Sequence, residues 1–488
     1  MKLEAVIAVI CAVAFAGLLL FQTPGQFVTL LAGAVILIAI LRWPIFGLVL
    51  FGFAATFVPF MTVQIGLRTT ASEAILVFIW LGIAWQFLLG RRLPAFGPTE
   101  RMVIYLMLFS ALPFIVGEWM IYIDPHPPIT IGAPVISSSN AGTPSGIVNW
   151  ARWLIDVSCI FLVPLVIDSE RKRDAVITAL LLGNFAMLGL SLTLFLRNNV
   201  ATDIIPVLDA LKYAHPELTQ HLFKALQVRL GTTWLHPNLS AGEIVMFLPL
   251  AMYYAGVHRG WRRWLGASVA LMGLVGIVLT GSRGALLSVV AVLGIFAVLR
   301  VPGTRKTLIA AAVFGAALVS FYPAVQSRLS QTFSAKNEST EVRMQEYREF
   351  PRVMATYPFG IGFKVDPPVP GSGLIGISNL WLNYVYKLGL LGALLYCAVL
   401  LRWWREVRPR GTVRVVDHGN GVWLACFGGL GGALVTGLFD HYYSFTMVLI
   451  ALFWLMMGIN LQAARALPQV GTIERRAPMQ RVLAARAS

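Results

Sequence analysis

The stretch Leu265–Arg300 reads LGASVALMGLVGIVLTGSRGALLSVVAVLGIFAVLR. Two apolar runs, about 265–281 and 284–299, meet at Gly281-Ser282-Arg283-Gly284, and Arg283 is the single charge between Leu265 and Leu299. An apolar run of roughly 17–25 residues crosses the hydrocarbon core of a bilayer as one helix. The pair therefore reads as two membrane spans joined by a tight turn. Similar runs recur at about 5–21, 26–41, 44–61, 72–89, 102–117, 149–167, 175–195, 240–257, 307–323, 379–401, 420–439 and 443–463, fourteen in all. The 488 residues are 58% hydrophobic and 12% charged, against about 25% charged in soluble chains. That excludes a soluble enzyme and a disordered protein, and predicts an all-α, polytopic integral membrane protein. The first run follows Lys2 and has no small-x-small cleavage site after it, only Phe21–Gly25, so it reads as a span rather than a signal peptide.

The 38 Lys+Arg against 22 Asp+Glu give a net charge of +16. With the N-terminus in the cytoplasm, alternate junctions are basic: Arg91-Arg92, Arg171-Lys172-Arg173, Arg259/Arg262/Arg263, Arg300/Arg305/Lys306, Arg402 to Arg414, and the tail from Arg465 to Arg486. With Lys2, Arg42 and Arg101, this face holds 24 of the 38 basic residues and 8 of the 22 acidic ones, leaving 14 and 14 elsewhere. The whole excess lies on one side, as the positive-inside rule requires, and nucleic-acid binding is excluded. The inner connections are short and contain no Gly-x-x-x-x-Gly-Lys-Ser/Thr loop, so no ATPase domain is present. Cys11, Cys159, Cys397 and Cys426 fall within or beside spans, without metal-ligand spacing. The long connections, about 118–148, 196–239 and 324–378, are all on the outer face, where chemistry is expected.

Within them, 203–228 has apolar positions near helical spacing and predicts helix lying along the interface. On the segment 338–357, Arg343, Tyr347, Phe350 and Met354 fall within roughly 40° of one another on a helical wheel, with Glu341, Gln345, Arg348 and Arg352 opposite. Arg343 thus rides an apolar face, where an unpaired guanidinium is costly, and calls for an anion: a ligand, or a carboxylate such as Glu338 or Glu341. Ser282 and Arg283 open a helix, where free N–H groups and the helix dipole favour an anion and the Arg fork suits phosphate. Packing alone would explain the glycines but not the arginine. At Leu235–Ser240, Asn238 or Ser240 reads equally as a helix cap, His236 as an interfacial histidine, and Glu243 as a carboxylate inside a span that pairs or works. Asp440-His441 closes a span on the same face, but adjacent residues rarely aim at one point, which favours a structural role. Asp156 and Lys387 also lie within spans, and pair with each other or with outer-face groups.

The order Gly231-Thr232…His236-Pro237-Asn238, then Thr280-Gly281-Ser282-Arg283-Gly284-Ala285, then Arg343 and Pro358-Phe359-Gly360-Ile361-Gly362, then Asn379-Leu380-Trp381-Leu382…Leu388-Gly389-Leu390-Leu391-Gly392 resembles the O-antigen ligase/Wzy-type polymerase superfamily of bacteria. The resemblance covers roughly 230–400 by motif. It implies a GT-C-like helical fold, no metal or other cofactor, and an active site on the periplasmic face of the inner membrane with both termini cytoplasmic. The implied donor is a glycan on undecaprenyl diphosphate, contacted by Arg283, Arg343 and Ser282, with Asn238, Ser378 and Asn379 as further substrate contacts. The implied acceptor is another glycan or lipid A–core, and a flippase and a chain-length regulator are the implied partners. The ligases carry a His where this chain has Ser378, a poor general base. His236, Glu243 and His441 are the substitutes on that face, and His236 or Glu243 is the expected base. The missing His tilts the expectation to a polymerase of exopolysaccharide or lipopolysaccharide repeat units; a ligase and a lipid-linked-sugar flippase are the alternatives. The expected organisation is N-terminal spans over 1–230, a ligase/polymerase-like core over 231–401, a C-terminal pair of spans over 402–463, and a basic tail over 464–488.

Overall fold

A computed structural model describes residues 24–65, 67–116, 145–197, 229–302, 304–321, 338–363, 376–409 and 415–467, with the single positions 206, 208, 209, 213, 374 and 413. The expected span at 5–21, the interfacial segment 203–228 but for four positions, most of the outer loop before 145 and the basic tail beyond 467 lie outside these residues.

Each of the thirteen apolar runs from 26 onward falls on helix. In chain order these are α1 (Pro24–Arg42), α2 (Pro44–Phe57), α3 (Ala71–Leu88), α4 (Pro98–Phe109), the pair α5 (Ser145–Val157) and α6 (Cys159–Val166), and α7 (Glu170–Leu196). They continue with α8 (Pro237–Val257), α9 (Trp261–Thr280), α10 (Arg283–Val298), α11 (Thr304–Phe321), α12 (Glu338–Thr356), α13 (Leu380–Val407), α14 (Gly421–Thr436), the short α15 (Tyr442–Phe445) and α16 (Met447–Ala466). Among the described residues, eight helices are long and apolar enough to span a bilayer, and four shorter ones are equally apolar. The fold is a polytopic helical membrane protein. The sequence did not foretell one feature: Thr62–Ile65 (β1) and Leu67–Thr70 (β2) form an antiparallel hairpin between α2 and α3. Thr70 then caps α3 through a reciprocal pair of bonds with Glu73.

At the centre stand α8 and α16, buried almost throughout, as expected for helices apolar on every side. Their neighbours approach closely because they present glycine. A Cβ at Gly429 of α14 would lie 2.1 Å from the Met246 carbonyl oxygen of α8, and one at Gly266 of α9 would lie 2.7 Å from that of Ala251. Between helices in lipid, such small-residue contacts replace the hydrophobic drive that water supplies elsewhere. At the basic end of the bundle Arg465 bridges Glu100 (2.7 Å) and Glu406 (2.9 Å), and Thr99 donates to Glu406 at 2.7 Å. This joins α16, α4 and α13.

The long helix α13 is broken at Gly389, whose φ of 68° is left-handed. The break leaves the Tyr386 and Lys387 carbonyls without their helical donors. Ile361 N–H (2.9 Å) and Gly362 N–H (3.1 Å) supply the bonds instead, which membrane-buried backbone requires. This explains both glycine motifs, Pro358–Gly362 and Leu388–Gly392. Cβ atoms at Gly360 and Gly389 would strike the facing backbone at 2.4 and 2.6 Å. Gly389→Ala is therefore expected to destabilise the folded protein in detergent by roughly 1–3 kcal/mol, through the left-handed φ and the contact together. Thermal unfolding checks this; an unchanged midpoint would contradict it.

Candidate functional site

The chain turns between α14 and α15 at Gly437–His441; Asp440 and His441 lie in that turn, and Asn238, Gly284 and Asn379 reach it from the starts of α8, α10 and α13. Gly281, in the left-handed region at φ 60°, closes α9, and Ser282 precedes α10 without bonding it through its hydroxyl. Ser282 N–H instead donates to Thr280 Oγ1 at 3.3 Å. Arg283 occupies the first turn of α10. The next residue, Gly284, packs so closely on Phe439 that a Cβ would lie 2.9 Å from it, and Ser288 Oγ lies 2.8 Å from Thr436 Oγ1 one turn below. The glycines of Gly-Ser-Arg-Gly are thus explained by conformation and packing.

From the other side, α12 brings Arg343 and Glu346. The wheel holds in part: Phe350 and Met354, with Val353, pack against Ile377 and Tyr386, and Glu341, Gln345, Arg348 and Arg352 are exposed, but Tyr347 of the expected apolar face is exposed as well. Pro351 lies inside α12 without ending it. Glu346 accepts Ser378 N–H at 2.8 Å and Ser378 Oγ at 3.0 Å, so α12 is tied to the start of α13. Asn379 Oδ1 caps α13 by accepting from Trp381 and Leu382, and Asn379 Nδ2 donates to the Leu438 carbonyl at 3.0 Å. Ser378 and Asn379 thus spend their polar groups on architecture. Arg343 is half-buried, its charge acts on Tyr442, and among the described residues no carboxylate stands within ion-pair distance of it. Of the carboxylate partners that the sequence offered, Glu341 is exposed and not used, and the side chain of Glu338 lies outside the described residues.

The third wall is the approach to α8. Leu235 turns the chain at φ 60°, and His236 caps α8, its Nδ1 accepting Asn238 N–H at 3.2 Å; neither Asn238 nor Ser240 is the capping residue. Asn238 Oδ1 receives Arg229, whose Nε also donates to the Thr280 carbonyl at 2.6 Å. Asn238 Nδ2 reaches Asp440 Oδ2 at 3.4 Å. Asp440 Oδ1 accepts His441 N–H at 2.9 Å and stands 3.4 Å from His441 Nδ1. Burial would raise the Asp440 carboxyl, but hydrogen bonds from His441 and Tyr442 hold it below the usual carboxylate range. Burial lowers the His236 imidazole, with Arg229 and His441 adding to the effect and Asp440 opposing it. Arg229, Glu346 and the Asp440–His441 contact are parts that sequence reasoning missed or undervalued. Glu346 lies three residues from Arg343 on the same helical face, which is a legible signal. Arg229 carried none beyond being a cation in a half of the chain whose charges balance.

The two residues expected to take a proton are placed differently. The His236 Nδ1 lone pair is committed to the cap. Glu243 is wholly buried, about 9 Å further along α8, beside Asn184, and its charge acts on Tyr443. Asp156 and Lys387 do not choose each other: Asp156 lies in the field of Glu73 and Arg152, themselves 3.5 Å apart, and Lys387 Nζ donates to the Ser444 carbonyl at 2.8 Å. Among the described residues, no three His, Cys, Asp or Glu side chains gather as metal ligands.

Residues 267–397 match the family model Wzy_C, described as O-antigen ligase. The match includes Ser282, Arg283, Arg343, Glu346, Ser378 and Asn379, and leaves Arg229, His236, Asn238, Glu243, Asp440 and His441 outside it. No curated protein matches the chain. Arg229→Met is expected to cost roughly 1–3 kcal/mol of stability, because it strips hydrogen bonds from the Thr280 carbonyl and from Asn238. The midpoint of thermal unfolding reads this, and an unchanged value would contradict the account of the network.

Proposed function

With residues 267–397 a domain of the O-antigen ligase/Wzy-type family, and the chain a membrane glycan-processing enzyme, we propose that it polymerises repeat units carried on undecaprenyl diphosphate at the outer face of the inner membrane. The observation that carries this reading is the pair of arginines bordering one turn: Arg283 precedes the Gly284–Phe439 contact, and Arg343, with no carboxylate in range among the described residues, acts on Tyr442. Two guanidinium forks beside a helix N-terminus suit a diphosphate that gains charge as it leaves, with the N–H groups of α10 beside Ser282 adding donors.

In this reaction the acceptor hydroxyl oxygen bonds to the anomeric carbon of the donor glycan. The bond from that carbon to the diphosphate breaks, and its electron pair departs with the lipid diphosphate. Arg283 and Arg343 hold the departing oxygens, while Ser378 and Asn379 fix the helix ends that aim them. Ser378 in place of the ligase His favours polymerisation over transfer to lipid A–core.

The test is reconstitution in proteoliposomes with an undecaprenyl diphosphate-linked oligosaccharide. A product ladder supports the polymerase, and a single transfer to added lipid A–core indicates a ligase. Movement of the lipid across the bilayer without turnover would overturn the transferase reading. Arg283→Lys and Arg343→Lys are each expected to lower the rate by about 10²–10³-fold, since lysine keeps the charge but loses the fork. Wild-type rates in both would remove these residues from the site.

A further inference from the structure

The basic end of the bundle carries a cleft that the transferase reading does not use. It opens between α10 and α13, at the ends of those helices farthest from Arg283 and Asn379, with Phe427 of α14 at its base. Ile295 and Leu299 form one wall, and Trp404, Arg408 and Pro409 the other. The cleft holds about 530 Å³, a size typical of sites that take small ligands.

Its lining is divided between hydrocarbon and charge. Ile295 and Trp404 are both 43% exposed, and Val298 and Leu401 on the same two helices are exposed as well. In a chain that spans a bilayer such side chains meet lipid tails, and a tryptophan near the end of a span marks the level of the head groups. The Trp404 ring leans on Phe427, with centroids 5.6 Å apart. The polar part is narrower. Pro409 has no N–H to offer. The backbone acceptors nearby are already bonded: Leu299 by Val413 N–H at 3.1 Å, Trp404 by Arg408 N–H at 2.8 Å, and Val407 by Trp423 Nε1 at 2.8 Å.

The carboxylates of this end are spent too. Glu406 takes Arg465 at 2.9 Å and Arg402 at 3.7 Å, Glu100 takes Arg465 at 2.7 Å, and Asp417 accepts Gly419 N–H at 2.9 Å. Arg408 is exposed, and among the described residues no carboxylate stands within ion-pair distance of it. The same holds for Arg300 and Arg405, exposed at the same two helix ends. The cleft thus presents an apolar trough with an uncompensated guanidinium at its mouth.

We propose that this cleft binds an anionic phospholipid. One acyl chain lies against Ile295, Trp404 and Phe427, and the head-group phosphate meets Arg408, whose fork offers paired donors to its oxygens. Arg300 and Arg405 add to the attraction, each basic residue near a membrane surface favouring anionic lipid. The bound lipid bridges α10 and α13, the helices that begin at Arg283 and beside Asn379. The site is independent of the transferase reading.

The test uses the full-length protein in detergent, with phosphatidylglycerol or phosphatidylcholine of identical chains added and the bound lipid counted by native mass spectrometry. The wild type is expected to retain phosphatidylglycerol in preference. Arg408→Gln is expected to weaken that adduct by about fivefold and leave the phosphatidylcholine adduct unchanged. Trp404→Ala keeps the cation and is expected to weaken both. Equal retention of the two lipids by the wild type would overturn the proposal, and so would an Arg408→Gln protein with the wild-type preference, which places the anionic lipid elsewhere. Unchanged adducts in Trp404→Ala, or displacement of phosphatidylglycerol by equimolar glycerol phosphate, would show that the trough seats no chain and overturn it equally. Should Arg408→Gln fail to fold, the wild-type comparison of the two lipids still decides.

Discussion

Three separate parts of the chain, the starts of α8, α10 and α13, are fastened to the seven residues Thr436–Tyr442, and the charge of a fourth, α12, acts on them. Leu380 N–H donates to the Gly437 carbonyl at 2.7 Å and Asn379 to that of Leu438; Gly284 rests on Phe439; Asn238 reaches Asp440; Arg343 acts on Tyr442. Arg229 extends the tie to the end of α9 through Thr280. The reason is physical. At the edge of the hydrocarbon, water is scarce and each helix end leaves polar backbone groups without partners. A connection that supplies those partners fixes where neighbouring helices end, and with them the side chains that stand at those ends. In this protein the connection that closes the backbone accounts also meets Gly284, the neighbour of Arg283, and carries Tyr442, on which the charge of Arg343 acts.

The same constraint governs the break in α13. A left-handed Gly389 inside an apolar helix frees two carbonyls, and the Pro358–Gly362 loop enters to satisfy them. Two of the motifs that gave the sequence its family resemblance, Pro358–Gly362 and Leu388–Gly392, are, in structural terms, two backbones that approach too closely for any side chain. Gly281 and Gly284 have the same explanation. The family pattern in the glycines therefore reports packing, and the proposed chemistry rests on Arg283 and Arg343.

The spans were legible because apolar length is a direct physical requirement of a bilayer, and every described run from 26 onward lies on helix. The wheel of α12 was legible in part, since amphipathic periodicity is local: Phe350 and Met354 turn inward and Arg343 is half-buried, while Tyr347 is exposed. Other features were not readable, for one shared reason: they depend on which ends meet. The sequence does not show that His236 would spend Nδ1 on its own helix, that Ser378 would bind Glu346, or that Arg229 would bridge Thr280 and Asn238. It gave Asp440 and His441 as neighbours in the chain, from which a structural role followed. The structure adds what Asp440 holds, the His441 backbone N–H and Asn238. The hairpin Thr62–Thr70 escaped because its residues lie between two strong apolar runs that dominate any hydropathy reading.

The central claim is that the outer end of the bundle holds a lipid diphosphate between Arg283 and Arg343. A structure determined by electron cryomicroscopy with undecaprenyl diphosphate bound tests it most directly. The account expects density for both phosphates beside the N-terminus of α10, in contact with Arg283 on one side and Arg343 on the other, and next to the Asp440–Tyr442 turn. A diphosphate bound elsewhere on the protein, with both guanidinium groups out of contact with it, would contradict the account.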